Sequence, residues 1–370
     1  MRPVPTAMEP NLPVVKRARF TALGFFDVAY AVDVGKARGL CADLPVETGL
    51  EGPLTFDVPP LRLQYGSVDV MVGGTPRRGS VGVRLYDFGA IALAISFDLD
   101  DLPWARFTET ALQIEEAVAF DKPSAPWLSL LTEVKARFAS ALERPNEAGI
   151  QEDYQLIEID AFEAPLGDAL HRAIDLTPLL AGDARPLSES MRDTLLKHRF
   201  GYLADDCVIV TRDRALLYQP SGDAGVASVL EVANAQLLEL RYYSNLLDDE
   251  LPQMYDLVDR TRRVPAFSAP SQLSRVARRL YTVWAEVTEL TEKVENALEA
   301  TGHPYLAEVY TTTLELFGVP ALGSAVDRKL EIVRDTYAAL YDEASVSRAG
   351  LLEMTIVVLI AVELVLALVK

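Results

Sequence analysis

Val81-Gly82-Val83-Arg84-Leu85-Tyr86-Asp87-Phe88-Gly89-Ala90-Ile91-Ala92-Leu93-Ala94-Ile95-Ser96-Phe97 decides the fold class. Two runs rich in apolar and β-branched residues, Val81 to Tyr86 and Ala90 to Phe97, flank the turn signal Asp87-Phe88-Gly89, which predicts a hairpin of two strands. Just upstream, Val68 to Val72 ends in Gly73-Gly74 and predicts a further strand. Phe20 to Val32 has the same strand composition, and the stretch to Asp43 with Lys36, Ala37, Arg38 and Leu40 predicts a short helix. Downstream, Trp104 to Ala119 and Trp127 to Leu142 carry helical spacing and are split by Pro123 and Pro126.

A second round follows. Tyr154 to Phe162 predicts a strand, Leu166 to Leu176 and Ser188 to His198 helices, Cys207 to Thr211 and Ala215 to Tyr218 strands, and a long helix begins at Ala224. The order predicts an α+β fold of two helix-backed antiparallel sheet units, ferredoxin-like in type. The expected boundaries are a flexible N-terminus over residues 1–17, a first α+β unit over 18–150, a second with its long helix over 151–265, a helical stalk over 266–350 and a transmembrane helix over 351–369.

The stalk reading rests on period. Leu273, Val276, Leu280, Val283, Val287, Leu290, Val294 and Ala297 step alternately by three and four, and Val326, Leu330, Val333, Tyr337, Leu340 and Ala344 form a second seam. Such seams suit a coiled coil, and equally a helical hairpin packed on the α+β part. Gly302-His303-Pro304 and Gly318-Val319-Pro320 break the region into three helices.

The tail, Leu351 to Val369, has two carboxylates and no cation. At about 1.5 Å per residue it makes roughly 28 Å of helix, the thickness of a bilayer core. Leu351, Ile356, Leu359, Ile360 and Leu366 are the expected lipid contacts. Glu363, inside the run, would need another chain or helix to face, which implies a homo-oligomer. The competing reading is a fully buried core helix. With no signal-like run near Met1, the expected location is membrane-anchored with the body in the cytoplasm.

The chain has 370 residues and a formal charge of −19, from 35 Lys+Arg and 54 Asp+Glu, which disfavours general nucleic-acid binding. Against that average, Arg260, Arg262, Arg263, Arg275, Arg278 and Arg279 stand in a block without acids, a candidate contact for anionic lipid, ribosomal RNA or an acidic protein. Pairing with the chain's own acidic helices is the alternative. Cys41 and Cys207 are too few for a disulfide framework, and His171, His198 and His303 each stand alone, so no metal site is predicted. No nucleophile elbow or P-loop is present, and no catalytic residue or cofactor is assigned. The Gly73 to Ser80 turn, with Arg77 and Arg78, could cradle a phosphate, though a hairpin connection explains it as well.

Leu352 to Glu363, Leu-Glu-Met-Thr-Ile-Val-Val-Leu-Ile-Ala-Val-Glu, resembles the tail of the required-for-meiotic-nuclear-division family, also called Sif-like, a domain of unknown function. Asp327 to Val333 is similar to that family's rod ahead of the anchor, Val229 to Leu240 to its helix of small and apolar residues, and Tyr86 to Leu93 to its turn-Gly strand. The resemblance implies a membrane-tethered, oligomeric body with a helical stalk, without implying an activity. The expected function is a non-enzymatic scaffold that self-associates through stalk and tail and holds a protein or ribosomal partner near the membrane. The alternatives are a nucleotide- or metabolite-binding sensor or enzyme with an internally packed tail, and RNA contact through the arginine block.

Overall fold

The computed structural model describes residues 13–46, 58–122, 124–146, 151–166, 170–222, 225–262, 278, 281–282, 284–285, 288, 303–339, 356–357 and 359–360. The chain divides into two compact units, Met1–Glu239 with Val294–Val319, and Leu240–Lys293 with Pro320–Lys370.

The first unit is organised by one long strand, β1 (Val14–Asp27). Its residues alternate between two faces, Phe20, Ala22, Gly24 and Phe26 on one and Thr21, Leu23 and Phe25 on the other. After the short β2 (Ala29–Val32) and α1 (Val34–Gly39), β3 (Leu61–Val72), β4 (Thr75–Leu85) and β5 (Ala90–Asp98) form an antiparallel meander that ends against β1. The opposite edge of β1 takes β8 (Gln151–Phe162). Beyond β8 lie β11 (Arg214–Tyr218), β10 (Cys207–Val210) and β9 (Arg199–Phe200), while β6 (Leu102–Pro103) pairs with the start of β1. The short β7 (Leu142–Pro145) pairs with β2 in a separate ribbon.

The result is one nine-stranded sheet in which β8 and β11 run parallel and the other pairs are antiparallel. This corrects the expectation of two ferredoxin-like sheets. The strands of the supposed second unit exist, but β1 bonds β5 along one edge and β8 along the other, so both sets share one sheet. Alternation marks a strand without naming its partner.

One sheet face carries the main core. Helix α2 (Trp104–Val118) buries Trp104, Phe107, Ala111, Ile114 and Val118, and α3 (Trp127–Phe138) buries Trp127, Leu130, Leu131, Val134 and Phe138, each a single stripe at three- and four-residue spacing. These stripes join Phe20, Ala22, Ile91, Leu93, Ile157 and Leu216 in one hydrophobic cluster. The short helices α4 (Leu170–Ala173), α5 (Thr177–Ala181) and α6 (Glu189–Leu195) follow, and α5 is tied to the sheet by buried Arg214, which donates to Glu115 twice at 2.8 Å and to Leu179 O at 3.2 Å.

The other face receives α7 (Gly225–Arg262) and α8 (Pro304–Phe317). The first half of α7 is buried on nearly every side, with Val226, Val229, Leu230 and Ala233 among its core residues. Tyr154 on β8 meets Phe317 of α8 edge-on at 5.6 Å, and Tyr310 of α8 donates a hydrogen bond to Gln236 of α7. Ala90 to Ile95 reads as an unbroken apolar run because both faces of that strand are covered.

In the second unit, residues 320–339 are helical, and Lys329 Nζ bonds Ser244 O at 3.1 Å, Ser244 Oγ at 2.9 Å and Asp248 at 2.7 Å. Val326, Leu330 and Val333 of the second seam are buried within the chain. A coiled-coil stalk is therefore not shown: those seam residues already have an intramolecular home. Every residue of the first seam lies outside the described residues, as do Leu340 and Ala344.

The membrane anchor is also corrected. Among the described residues no helix is long and apolar enough to cross a membrane. Ile356, Leu359 and Ile360 are helical and more than half exposed, and Leu351, Glu363 and Leu366 lie outside the described residues. The expected transmembrane helix, and the single-pass placement built on it, are withdrawn.

Candidate functional site

Where α7 and α8 leave the second sheet face uncovered, a polar basin of about 470 Å³ opens. Strand register fixes its floor in rows. Arg62 lies opposite Arg84; Gln64, Gly82, Ala94 and Leu23 follow in the next row. Then come Ser80, Ser96, Thr21 and Leu156, and finally Asp98, Arg19 and Glu158. In these middle rows Gly82, Ala94, Ser80, Ser96 and Thr21 are small, which keeps that part of the floor low. Thr21 and Ser96 share a hydroxyl hydrogen bond of 2.9 Å across that floor.

The inner end is a buried ion cluster. Arg84 Nε lies 2.5 Å from Glu231 Oε2 and Arg62 Nη2 3.7 Å from Glu231 Oε1, with side chains only 15%, 11% and 4% exposed for Arg84, Arg62 and Glu231. Tyr86 OH donates to Glu231 Oε1 at 2.7 Å, and Arg62 Nη1 donates to Ser228 Oγ at 3.4 Å. Burial, followed by the neighbouring Glu231 charge, holds the Tyr86 phenol well above its usual range, so it stays a neutral donor. Both guanidiniums thus face the Glu231 carboxylate. A Cβ on Gly82 would come 3.0 Å from Arg84 Nη1, so the missing side chain gives the guanidinium its bed. The N-terminal turn of α7 contributes Ala227 and Ser228 to the wall and directs the positive end of its dipole there.

The outer end is acidic. Arg19 Nε donates to Asp98 Oδ1 at 2.9 Å, while Glu158, its register partner on the other side, is half-buried and makes no hydrogen bond or ion pair among the described residues. Burial raises the Glu158 carboxyl above the ordinary range, the Arg19 and Arg84 charges opposing and the Asp160 charge reinforcing it.

A separate buried carboxylate lies at the end of β1. Asp27 is 2% exposed, accepts from Asn146 Nδ2 at 2.7 Å, and is pushed up to about 6 by burial, the Asn146 bond and the Lys135 charge opposing. Its folded value lies above the unfolded one of 3.8. The favourable contribution is therefore complete below pH 3.8 and is lost as pH rises through about 6. Asp27→Asn should stabilise the chain by about 2 kcal/mol at pH 7.5 and by little at pH 4. Urea melts at both pH values check this; an equal effect at both would remove the ionisation argument.

The residues expected from sequence to make contacts are not among the described lining of the basin. Arg260 and Arg262 fall on α7 with side chains outside the described set; Arg263, Arg275 and Arg279 are wholly outside it, and Arg278 is helical and exposed. Arg77 and Arg78 sit on β4, where Arg78 Nε donates to Ser67 Oγ at 2.8 Å across the hairpin. Among the described residues no group of three or more potential metal ligands converges. The basin residues were missed, although a signal was present: Arg84 is the one charge of the stretch from Gly79 to Tyr86, and Glu231 is the first charge of α7. Isolated charges in segments buried on both sides must find each other.

Residues 17–224, more than half of the chain and every strand of the large sheet beyond the first few residues of β1, match the family model described as uncharacterized protein MJ0711, N-terminal domain. The chain belongs to this family. It is 25% identical over 232 residues to uncharacterized protein MJ0711 of Methanocaldococcus jannaschii, covering 62% of this chain and 70% of that relative. No solved structure matches. These matches overturn the resemblance to the required-for-meiotic-nuclear-division family, whose most specific segment, 352–363, lies outside the span shared with the MJ0711 family. A short apolar tail with one internal glutamate recurs wherever a helix is strongly hydrophobic, and carries little family information.

Proposed function

We propose that the first unit is a small-molecule binding module, a metabolite sensor or enzyme, whose basin takes a ligand bearing an anionic group. One observation supports this most: Arg62 and Arg84 lie, largely desolvated, against the carboxylate of Glu231 at the wall of an open cavity. A guanidinium is costly to take out of water, and its planar donors match carboxylate and phosphate oxygens. Ser80, Ser96 and Thr21 supply further hydroxyls along the floor.

Thermal unfolding of the full chain with inorganic phosphate, short carboxylates and nucleotides tests the reading. At about a hundredfold excess over Kd, a ligand should stabilise the chain by about 2.7 kcal/mol. Arg84→Gln should remove the response, and Arg62→Gln should weaken it. Absence of any anion-dependent shift, or one that persists unchanged in both variants, would reject the basin as an anion site.

A further inference from the structure

On the sheet face opposite the basin, a second hollow of about 340 Å³ opens where the end of β1 meets the start of α3. Phe26, Phe120 and Trp127 line it, with ring centroids 5.7 Å (Phe26 to Phe120), 6.5 Å (Phe26 to Trp127) and 5.1 Å (Phe120 to Trp127) apart and planes tilted by 58°, 47° and 76° in the same order. They form walls, not a stack. Gly24, two residues before Phe26 on the same face, gives two of these rings their bed, because a Cβ there would come 2.9 Å from Phe120 Cζ and 3.0 Å from Trp127 Cε3. Trp127 is pinned by its Nε1 donating to Val118 O at 2.5 Å. Asp121 also lines the hollow, exposed and with no hydrogen bond or ion pair among the described residues, whereas its neighbour Lys122 is paired with Glu116 at 3.2 Å. We propose that this hollow binds a quaternary ammonium group, such as the trimethylammonium of choline, against the three rings and beside Asp121.

The ring spacings suit one cation shared by all three. The point equidistant from the three centroids lies about 3.4 Å from each in their plane, so a cation about 3 to 4 Å above it stays within about 6 Å of every ring, the range of a cation–π contact. Methylation sets the class. A bare ammonium would exchange strong hydration for a lining with few acceptors, whereas N-methyl groups spread the charge over carbon that Leu128 and Leu131 can also touch. A quaternary nitrogen has no hydrogen to donate, so Asp121 attracts it by charge alone and can do so from the exposed rim. The volume falls within the range of about 300–1,000 Å³ that small-molecule sites occupy.

The test is titration calorimetry of the full chain with choline, tetramethylammonium, ethanolamine and 3,3-dimethylbutanol, the uncharged analogue in which carbon replaces the nitrogen of choline. Choline should bind about tenfold more tightly than either ethanolamine or dimethylbutanol, and tetramethylammonium should compete with it. Phe120→Leu should weaken choline by about tenfold, and Asp121→Lys should remove the preference for choline over dimethylbutanol while leaving dimethylbutanol affinity unchanged. Asp121 is exposed, so that variant keeps the fold and carries the test if Phe120→Leu does not fold. Sedimentation with phosphatidylcholine vesicles separates the two sources of such a group: binding that Asp121→Lys abolishes assigns it to a lipid headgroup, and choline binding without vesicle binding assigns it to a free small cation. Dimethylbutanol or ethanolamine binding as tightly as choline would overturn the proposal, as would no binding of choline and tetramethylammonium. A preference for choline that survives Asp121→Lys would overturn its placement in this hollow.

Discussion

Gly89→Val should yield no stably folded chain, a loss of more than about 4 kcal/mol. Gly89 closes the turn between β4 and β5 at φ +103°, and a Cβ there would stand 1.9 Å from the carbonyl oxygen of Ala29, well inside atomic contact. Neither backbone can retreat. Gly89 O accepts from Val28 N at 3.2 Å, Asp87 O accepts from Val32 N at 2.9 Å, and Tyr86 N donates to Ala90 O at 3.0 Å. The turn is stitched to the bend after β1, the central strand of the sheet, so relief of the clash would unpair it from both neighbours. Gly74→Ala is the control, because Gly74 has φ +82° but open space around it, and it should cost only about 1 kcal/mol of backbone strain. Denaturant melts of the two variants decide the matter. A Gly89→Val chain within about 1 kcal/mol of wild type would mean that the close approach is not a feature of the native fold.

Glu231→Leu should cost about 3–5 kcal/mol, the largest loss expected from a change that creates no clash. The leucine fills comparable space but removes the acceptor of Tyr86 OH and the counter-charge of Arg84 and Arg62, all three largely enclosed. Much of the loss is the penalty of leaving guanidiniums buried beside an apolar side chain, so a second change should recover part of it. Arg84→Met in the Glu231→Leu background should restore about 1–3 kcal/mol, whereas Arg84→Met alone should destabilise. Urea unfolding of the four chains of this cycle measures the coupling. Strict additivity would show that Arg84 and Glu231 do not depend on each other, and the inner end of the basin would lose its physical basis.

Several elements were legible because their signal is local. Trp104 to Val118 and Trp127 to Phe138 place an apolar side chain on one stripe at every turn, and the helices form there. The strands at Phe20, Val81 and Ala90 were equally plain, and Asp87-Phe88-Gly89 marked the turn between two of them. Their partners were not. β1 takes β5 and β8 on its two edges, segments separated from it by different amounts of intervening chain, and no residue in β1 names either one. The basin was hidden for the same reason. Tyr86 and Glu231 meet across 145 residues, and Glu158 comes opposite Arg19 only through the pairing of β8 with β1.

From the order of its residues alone, this chain declares which segments are strands, which are helices and which side of each helix is apolar, since those properties depend on neighbours a few positions away. Whether its strands form one sheet or two, and where two arginines and their glutamate face a cavity, depend on contacts between distant segments. Only the tertiary structure decides these, because the free energy of pairing and of burying a charge belongs to both partners at once.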